Sequence, residues 1–315
     1  ATYERGLEVF DLRTGRVKNY FYDPDDEHSL PSSRVFILFK SATGRIYLGT
    51  ANGLCRYDRE QDCFVRLGIP VRIAAIAEDG DHNLWVATKE DGLYRYDVRT
   101  GAYRHYLADP DNPRSLVRNV LTVLTLDRDG RLWIGSDGYG VCRYDAATDA
   151  FVRYDDLPLP NRIISGIVPD GETLWIATNK GLVRWNTTTN VTRLFSRSDG
   201  LYNEQFSERA CLVDYSGLFV LGTTDGLCTF LPNRLTDDNR TVPPVVLTSL
   251  SIYNHPVTPR SDGSPLVRSI ETTREVVLAH DQRMLSVEFA ALSYVDPAEM
   301  LYRYRLYGFD DKWYV

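Results

Sequence analysis

Residues 132–155 read LWIGSDGYGVCRYDAATDAFVRYD, and this pattern recurs along the chain. Copies run IYLGTANGLCRYDREQDCFVRL from Ile46, LWVATKEDGLYRYDVRTGAYRHYL from Leu84, LWIATNKGLVRWNTTTNVTRLFS from Leu174 and LFVLGTTDGLCTFLP from Leu218, with a partial copy, GLEVFDLRTGRVKNYFY, from Gly6. The shared glycines Gly6, Gly53, Gly92, Gly140, Gly181 and Gly226 are 47, 39, 48, 41 and 45 residues apart. That period marks β-propeller blades of four antiparallel strands. Ahead of each copy lies a short apolar run (residues 35–39, 73–77, 120–126, 163–168) and a turn such as SATGR, EDGDHN or DRDG. Gly and Asp accept the hairpin backbone that β-branched residues resist. An aromatic-centred strand follows, with Tyr47, Trp85, Trp133, Trp175 or Phe219, then a Gly-Leu strand and an outer strand ending in Phe or Tyr. A single blade cannot bury its own faces, so neighbours must stack.

The fold expected is all-β. Residues 1–235 form a partial β-propeller of five blades plus two strands of a sixth, cut from a ring of seven. After Phe230-Leu231-Pro232 the period stops, and Pro243-Pro244 announces a second element. Runs from Val245, Arg274 and Leu301 predict strands of an incomplete Ig-like β-sandwich over 243–315.

Composition agrees with this class: 20 Tyr and 12 Phe against 2 Met suit strands better than helices. A net charge of -7 argues against a sequence-independent nucleic-acid surface, which needs clustered Lys and Arg. No apolar run approaches the roughly 18–20 residues that span a bilayer. Of five cysteines, Cys55, Cys142 and Cys228 each follow a repeat glycine by two residues, so they are one position seen three times. Equivalent places in separate blades lie beyond disulfide reach, and these residues read as buried small hydrophobes.

No catalytic residues, cofactor or metal are expected. The DRDG and EDGDHN turns lack the further ligands and closing Glu of a calcium loop and read as hairpin turns. The five histidines have no ligand spacing, and neither a G-x-S-x-G elbow nor a phosphate loop occurs. The sequons at Asn186 and Asn190 carry little weight. A more informative set opens the first strand of each blade, where side chains face the propeller mouth: Arg34, Arg72, Asn119, Arg162 and Gln205. Guanidinium groups there suit carboxylate or sulfate groups on a sugar, although side chains at these places also close the ring against neighbouring carbonyls. Tyr139, Tyr202, Asn203 and Glu204 lie in adjoining loops, with groups able to stack on a sugar or bond to it, or simply to pack their loops.

The motifs DPDDEHSLPSSRV from Asp23, DPDNPRSLVRNV from Asp109, SDGLYNEQFSERA from Ser198 and MLSVEFAALSYVDPAEMLYRYRLYGFDDKW from Met284 resemble the sensor propellers, and the three-tyrosine β-sandwich after them, of hybrid two-component systems of gut Bacteroidetes. Tyr307 departs from the acidic residue expected before Gly308-Phe309. The resemblance implies the periplasmic part of an inner-membrane protein. It would recognise an oligosaccharide, act as a homodimer, and signal through a transmembrane helix outside this sequence to a cytoplasmic histidine kinase controlling polysaccharide-use genes. A propeller-fold lyase or hydrolase, and a protein-binding scaffold, are the rival readings.

Overall fold

The computed structural model describes residues 5–235, 244–292 and 302–314. Pro243, the expected start of the second element, lies outside them. Two compact units divide the chain, Ala1–Leu235 and Thr236–Val315.

In the first unit, β1 (Leu7–Phe10) and β2 (Val17–Tyr20) pair as a two-stranded sheet. Four antiparallel four-stranded meanders follow. They are β3 (Val35–Lys40), β4 (Ile46–Thr50), β5 (Gly53–Asp58) and β6 (Cys63–Arg66); β7 (Ile73–Glu78), β8 (Asn83–Thr88), β9 (Leu93–Asp97) and β10 (Tyr103–Tyr106); β11 (Leu121–Leu126), β12 (Leu132–Ser136), β13 (Val141–Asp145) and β14 (Ala150–Arg153); and β15 (Ile164–Asp170), β16 (Thr173–Thr178), β17 (Gly181–Asn186) and β18 (Thr192–Phe195). A three-stranded sheet of β19 (Phe206–Val213), β20 (Phe219–Thr223) and β21 (Gly226–Phe230) ends the series. The fold is an all-β propeller, with apolar clusters shared between successive sheets. One joins Trp85 and Leu93 to Leu132, Ile134 and Phe151.

The repeat encodes its own hydrogen bonds. A hydroxyl ends each second strand and donates to the carbonyl of the glycine that opens the third: Thr50 to Gly53, Thr88 to Gly92, Ser136 to Gly140, Thr178 to Gly181 and Thr223 to Gly226, all at 2.8–3.1 Å. The Asp-rich hairpins are structural. Asp127 Oδ1 accepts from the backbone of Asp129 and Arg131, while Oδ2 accepts from Trp133 Nε1 at 2.8 Å. Asp79 does the same for Asp81, Asn83 and Trp85. Blades are also pinned laterally: Tyr106 and Tyr144 hydroxyls from adjacent blades both donate to Asp149, at 2.8 and 2.7 Å. Tyr20 and Tyr57 converge on Asp62 in the same way.

Three strand-level expectations shift. β11 and β15 open at Leu121 and Ile164, one residue after Val120 and Ile163. Phe219 faces Phe230 three positions before Gly222, where Leu132 stands three before Gly135, so it matches that leucine and not Trp133. Cys55, Cys142 and Cys228 do share one register, opposite Leu48, Ile134 and Leu221, and all are free thiols.

In the second unit, β22 (Val245–Ile252), β23 (His255–Pro256) and β24 (Leu285–Ala291) form one sheet in the order β23-β22-β24. The run from Arg274 becomes strand only at Leu285, its earlier part being loop. Leu250, Leu266 and Ile270 form a small core, and the Arg305 guanidinium lies 4.6 Å from the Tyr307 ring centroid. No helix of the described residues is long and apolar enough to cross a membrane.

Candidate functional site

Inner strands of all five blades line one axial cavity of about 370 Å³. Its walls come from β3 (Phe36 to Phe39), β7, β11, β15 and β19: apolar side chains, Thr125, exposed backbone and one charged group, Arg209. Gly166 is needed where β15 and β19 close together, because a Cβ there would lie 2.1 Å from Cys211 Sγ.

Every inner strand carries a β-bulge just inside the mouth. In β3, four residues (35 to 38) stand against three of β4 (50 to 48), looping out one residue, and β7, β11 and β15 are shifted alike. In β19, six residues (206 to 211) stand against three of β20 (223 to 221). That strand loops out three residues. Bulges bend a strand and re-aim its side chains, and this one carries Glu208 and Arg209 to the axis. Arg209 has a φ of 62°, in the left-handed region that costs a branched or long residue energy. Its Nη1 donates to Ala74 O on β7 at 2.9 Å. Glu208 accepts both bonds of Lys89 Nζ at 2.7 and 2.9 Å, joining the fifth blade to the second. Burial is the main influence on the Arg209 guanidinium and lowers its proton affinity from the ordinary value, with Glu208 opposing and Arg72 reinforcing.

The expected mouth residues separate into two levels. Arg34, Arg72 and Gln205 stand together: their carbonyls accept from Ala51, Lys89 and Thr224 within their own blades. Val120, whose carbonyl accepts from Asp137, is their counterpart in the third blade. Asn119 and Arg162 belong one residue earlier, with Ser33 and Glu204, and the carbonyls of these four accept from Gly92, Gly140, Gly6 and Gly181 of the preceding blade. The one-residue displacement arises because apolar character continues back through Val120 and Ile163, ahead of the first paired residue.

Side chains follow the same division. Asn119 Oδ1 accepts from Ala108 N at 2.7 Å, Arg162 donates to Asp155 O, Asn203 donates to Thr224 and Asp225, and Glu204 accepts from Arg197 N at 2.8 Å. These four hold loops. Arg34, Arg72, Gln205, Tyr139 and Tyr202 are exposed at the surface. Arg72 lies 4.7 Å from the Phe36 ring centroid, and Arg118 lies 4.5 Å from that of Tyr139. Sequence reasoning passed over Arg118, Lys89, Glu208 and Arg209. The only signal for the last two was the greater count of residues between Phe206 and Gly222 than between Val35 and Gly49.

Residues 115–138, which span β11, its Asp127 turn and β12, match the two component regulator propeller family. Histidine kinase P4 of Formosa agariphila is 26% identical over 155 residues, 49% of this chain and 11% of that protein. The crystal structure of the extracellular domain of a putative hybrid two component system from B. thetaiotaomicron is 22% identical, with a TM-score of 0.57, over 98% of this chain and 42% of that one. PorZ, an essential bacterial surface component of the type-IX secretion system of Porphyromonas gingivalis, is 13% identical, with a TM-score of 0.58, over 81% of this chain and 42% of its own. The two structures speak for the fold. The chain spans less than half the length of each of these relatives. The repeat at residues 115–138 thus matches a two component regulator propeller, in a chain whose fold is similar to that of the extracellular domain of a putative hybrid two component system.

Proposed function

We propose that this chain is a non-enzymatic sensor region of a hybrid two-component system, placed in the periplasm, that recognises an oligosaccharide at the propeller mouth. The observation that carries this reading is the axial cavity of about 370 Å³ in a propeller with a regulator-type repeat, with Arg72 on the ring of its lining residue Phe36 and Arg34, Gln205 and Tyr202 exposed at the surface. Concave sites of this size are the usual seats of small ligands. Tyr202 and Tyr139 offer ring faces for stacking, and Arg34 and Arg72 offer paired donors to acidic sugar groups. Binding would bias a dimer of such regions toward one arrangement, and through a membrane helix toward one state of a histidine kinase that controls polysaccharide-use genes.

Calorimetry of the chain against a panel of neutral and acidic oligosaccharides tests the reading, with product analysis after long incubation of the same mixtures. Binding without turnover, weakened at least tenfold in Arg72→Ala and Tyr202→Ala with the melting temperature kept, is the expected result. Turnover, or affinity indifferent to both substitutions, would overturn it.

A further inference from the structure

We infer that the enlarged bulge of β19 is a ligand-reading device: Arg209 is the charge partner, inside the axial cavity, for a single carboxylate or sulfate group on a sugar-sized ligand. This rests on the proposed sensing role and names the chemistry it would read.

Three independent observations converge on Arg209. The first is its setting in the repeat. Four inner strands keep a bulge of one residue, at Phe36, Ala74, Thr122 and Ser165, and only the fifth extends it to three. The extension delivers one long cationic side chain to the axis and holds it by a left-handed backbone at φ 62°. Strain of this kind persists where surrounding structure enforces it, and it clusters at ligand sites.

The second is its bonding. A guanidinium has five N–H donors in a rigid fork. Among the described residues, Arg209 gives one hydrogen bond, to Ala74 O at 2.9 Å, and has no carboxylate within ion-pair distance. Glu208, next to it in sequence, is taken by Lys89 through both oxygens, and the Lys89 side chain is 12% exposed. The neighbouring acid is therefore occupied and the neighbouring base, Arg72, adds to the positive field. A partly buried cation whose one nearby acid is paired to another base is costly and favours an incoming anion.

The third is shape. The cavity of about 370 Å³ lies at the small end of the common range for ligand sites, which is about 300–1,000 Å³. Its remaining walls supply apolar contact from Ile37, Phe39, Ile76 and Ile167 and polar contact from Thr125 and backbone, with no second charged side chain. Such a site suits one ring with one anionic substituent: the ring face packs on aliphatic and aromatic carbon, and two acidic oxygens accept the free edge of the fork. A carboxylate and a sulfate ester present the same pair of oxygens.

The test uses the whole chain and three probes: glucuronate, glucose 6-sulfate and glucose, titrated by calorimetry or by ligand-observed NMR. Arg209→Asn is the informative variant, because Asn tolerates the left-handed backbone, and Arg209→Lys keeps charge while losing the fork. The wild type is expected to bind at least one anionic probe tenfold or more tighter than glucose. Arg209→Asn should abolish that preference, Arg209→Lys should retain part of it, and the melting temperature should stay within a few degrees. If acidic and neutral probes bind equally to the wild type, or if Arg209→Asn keeps the preference, the inference fails while oligosaccharide sensing at the mouth stands. If an anionic probe binds through Arg209 but no oligosaccharide in the wider panel binds, the anion site stands and the sensing role does not.

Discussion

Replacing Trp133 and Trp175 separately by Phe isolates one hydrogen bond inside the repeat. The two indoles occupy the same place in neighbouring blades, are each 1% exposed, and have an arginine at the same 5.9 Å from the ring, Arg143 over one and Arg184 over the other. Loss of ring volume should cost both variants alike. They differ at the nitrogen: Trp133 Nε1 donates to Asp127 Oδ2 at 2.8 Å, whereas Trp175 Nε1 is buried without a partner among the described residues. The cause is a hairpin one residue shorter: Pro169 pairs with Leu174 as Leu126 pairs with Leu132, so Asp170, the counterpart of Asp127, is held in the ladder opposite Thr173. Asp127 is ionised and its side chain is 2% exposed, so the bond falls in the charge-assisted class, worth about 1.5–3 kcal/mol. Trp133→Phe should therefore be that much more destabilising than Trp175→Phe, read as a larger drop in urea midpoint at unchanged m-value. The difference also has a sign in pH. Burial is the largest influence on the Asp127 carboxyl and raises its pKa, but hydrogen bonds from Trp133 and Arg131, with the Arg131 charge, outweigh it and hold the group below the usual carboxylate range. A group depressed in this way contributes its stability above the unfolded value, near 3.9, and loses it as pH falls through the folded one. The gap between the variants should be full at pH 7 and close in acid. Equal costs at pH 7, or a gap that survives protonation, would refute the assignment.

Three further outcomes test the scaffold by the same denaturation measurement or by labelling. Gly92→Ala places a Cβ 2.3 Å from Tyr106 O at a φ of 69°, and should cost about 2 kcal/mol or more, a loss under about 0.5 kcal/mol contradicting the close approach. Asp149→Ala strips the acceptor from Tyr106 and Tyr144 and leaves a non-glycine residue at φ 50°, for about 2–4 kcal/mol, while Asp149→Asn keeps an acceptor and a tolerated backbone and should cost less than half as much. Burial pushes the thiols of Cys55 and Cys142 up to about 12, so neither should react with a disulfide reagent at pH 8 until the chain is unfolded, and prompt labelling of either would sink that reading.

The sequence displays the blades so openly because each repeat states its bonding: the hydroxyl at Thr88 or Ser136, the turn acid at Asp79 or Asp127, the glycine at Gly92 or Gly140. Local chemistry and global packing agree at those places, which is the condition for reading a fold from its residues. Registers were less legible. Val120 and Ile163 are apolar, as strand residues are, yet pairing begins one residue later, and a slip of one reverses which side chains share a level. Asn119 and Arg162, expected to open the first strands, stand one residue earlier in register than Arg34 and Arg72, and their side chains bond to Ala108 N and Asp155 O. In the second unit the run from Arg274 has the composition of a strand, but it is loop until Leu285, where pairing with β22 is available.

Arg209 was invisible for a different reason. Ser207-Glu208-Arg209-Ala210 is an ordinary polar tetrapeptide, and nothing in its composition marks a cavity. What marks it is the comparison across blades. Four copies of the inner strand solve the bulge with one residue, which shows that the propeller itself asks for no more. The fifth copy departs from that solution, accepts a left-handed arginine, and places a cation where water is scarce. Every one of these features opposes stability, and none is needed to complete the sheet, since β19 returns to register at Cys211. In a repeat protein the shared geometry is the part that folding requires. The residues that break it at such a cost are where selection for something other than folding is to be sought.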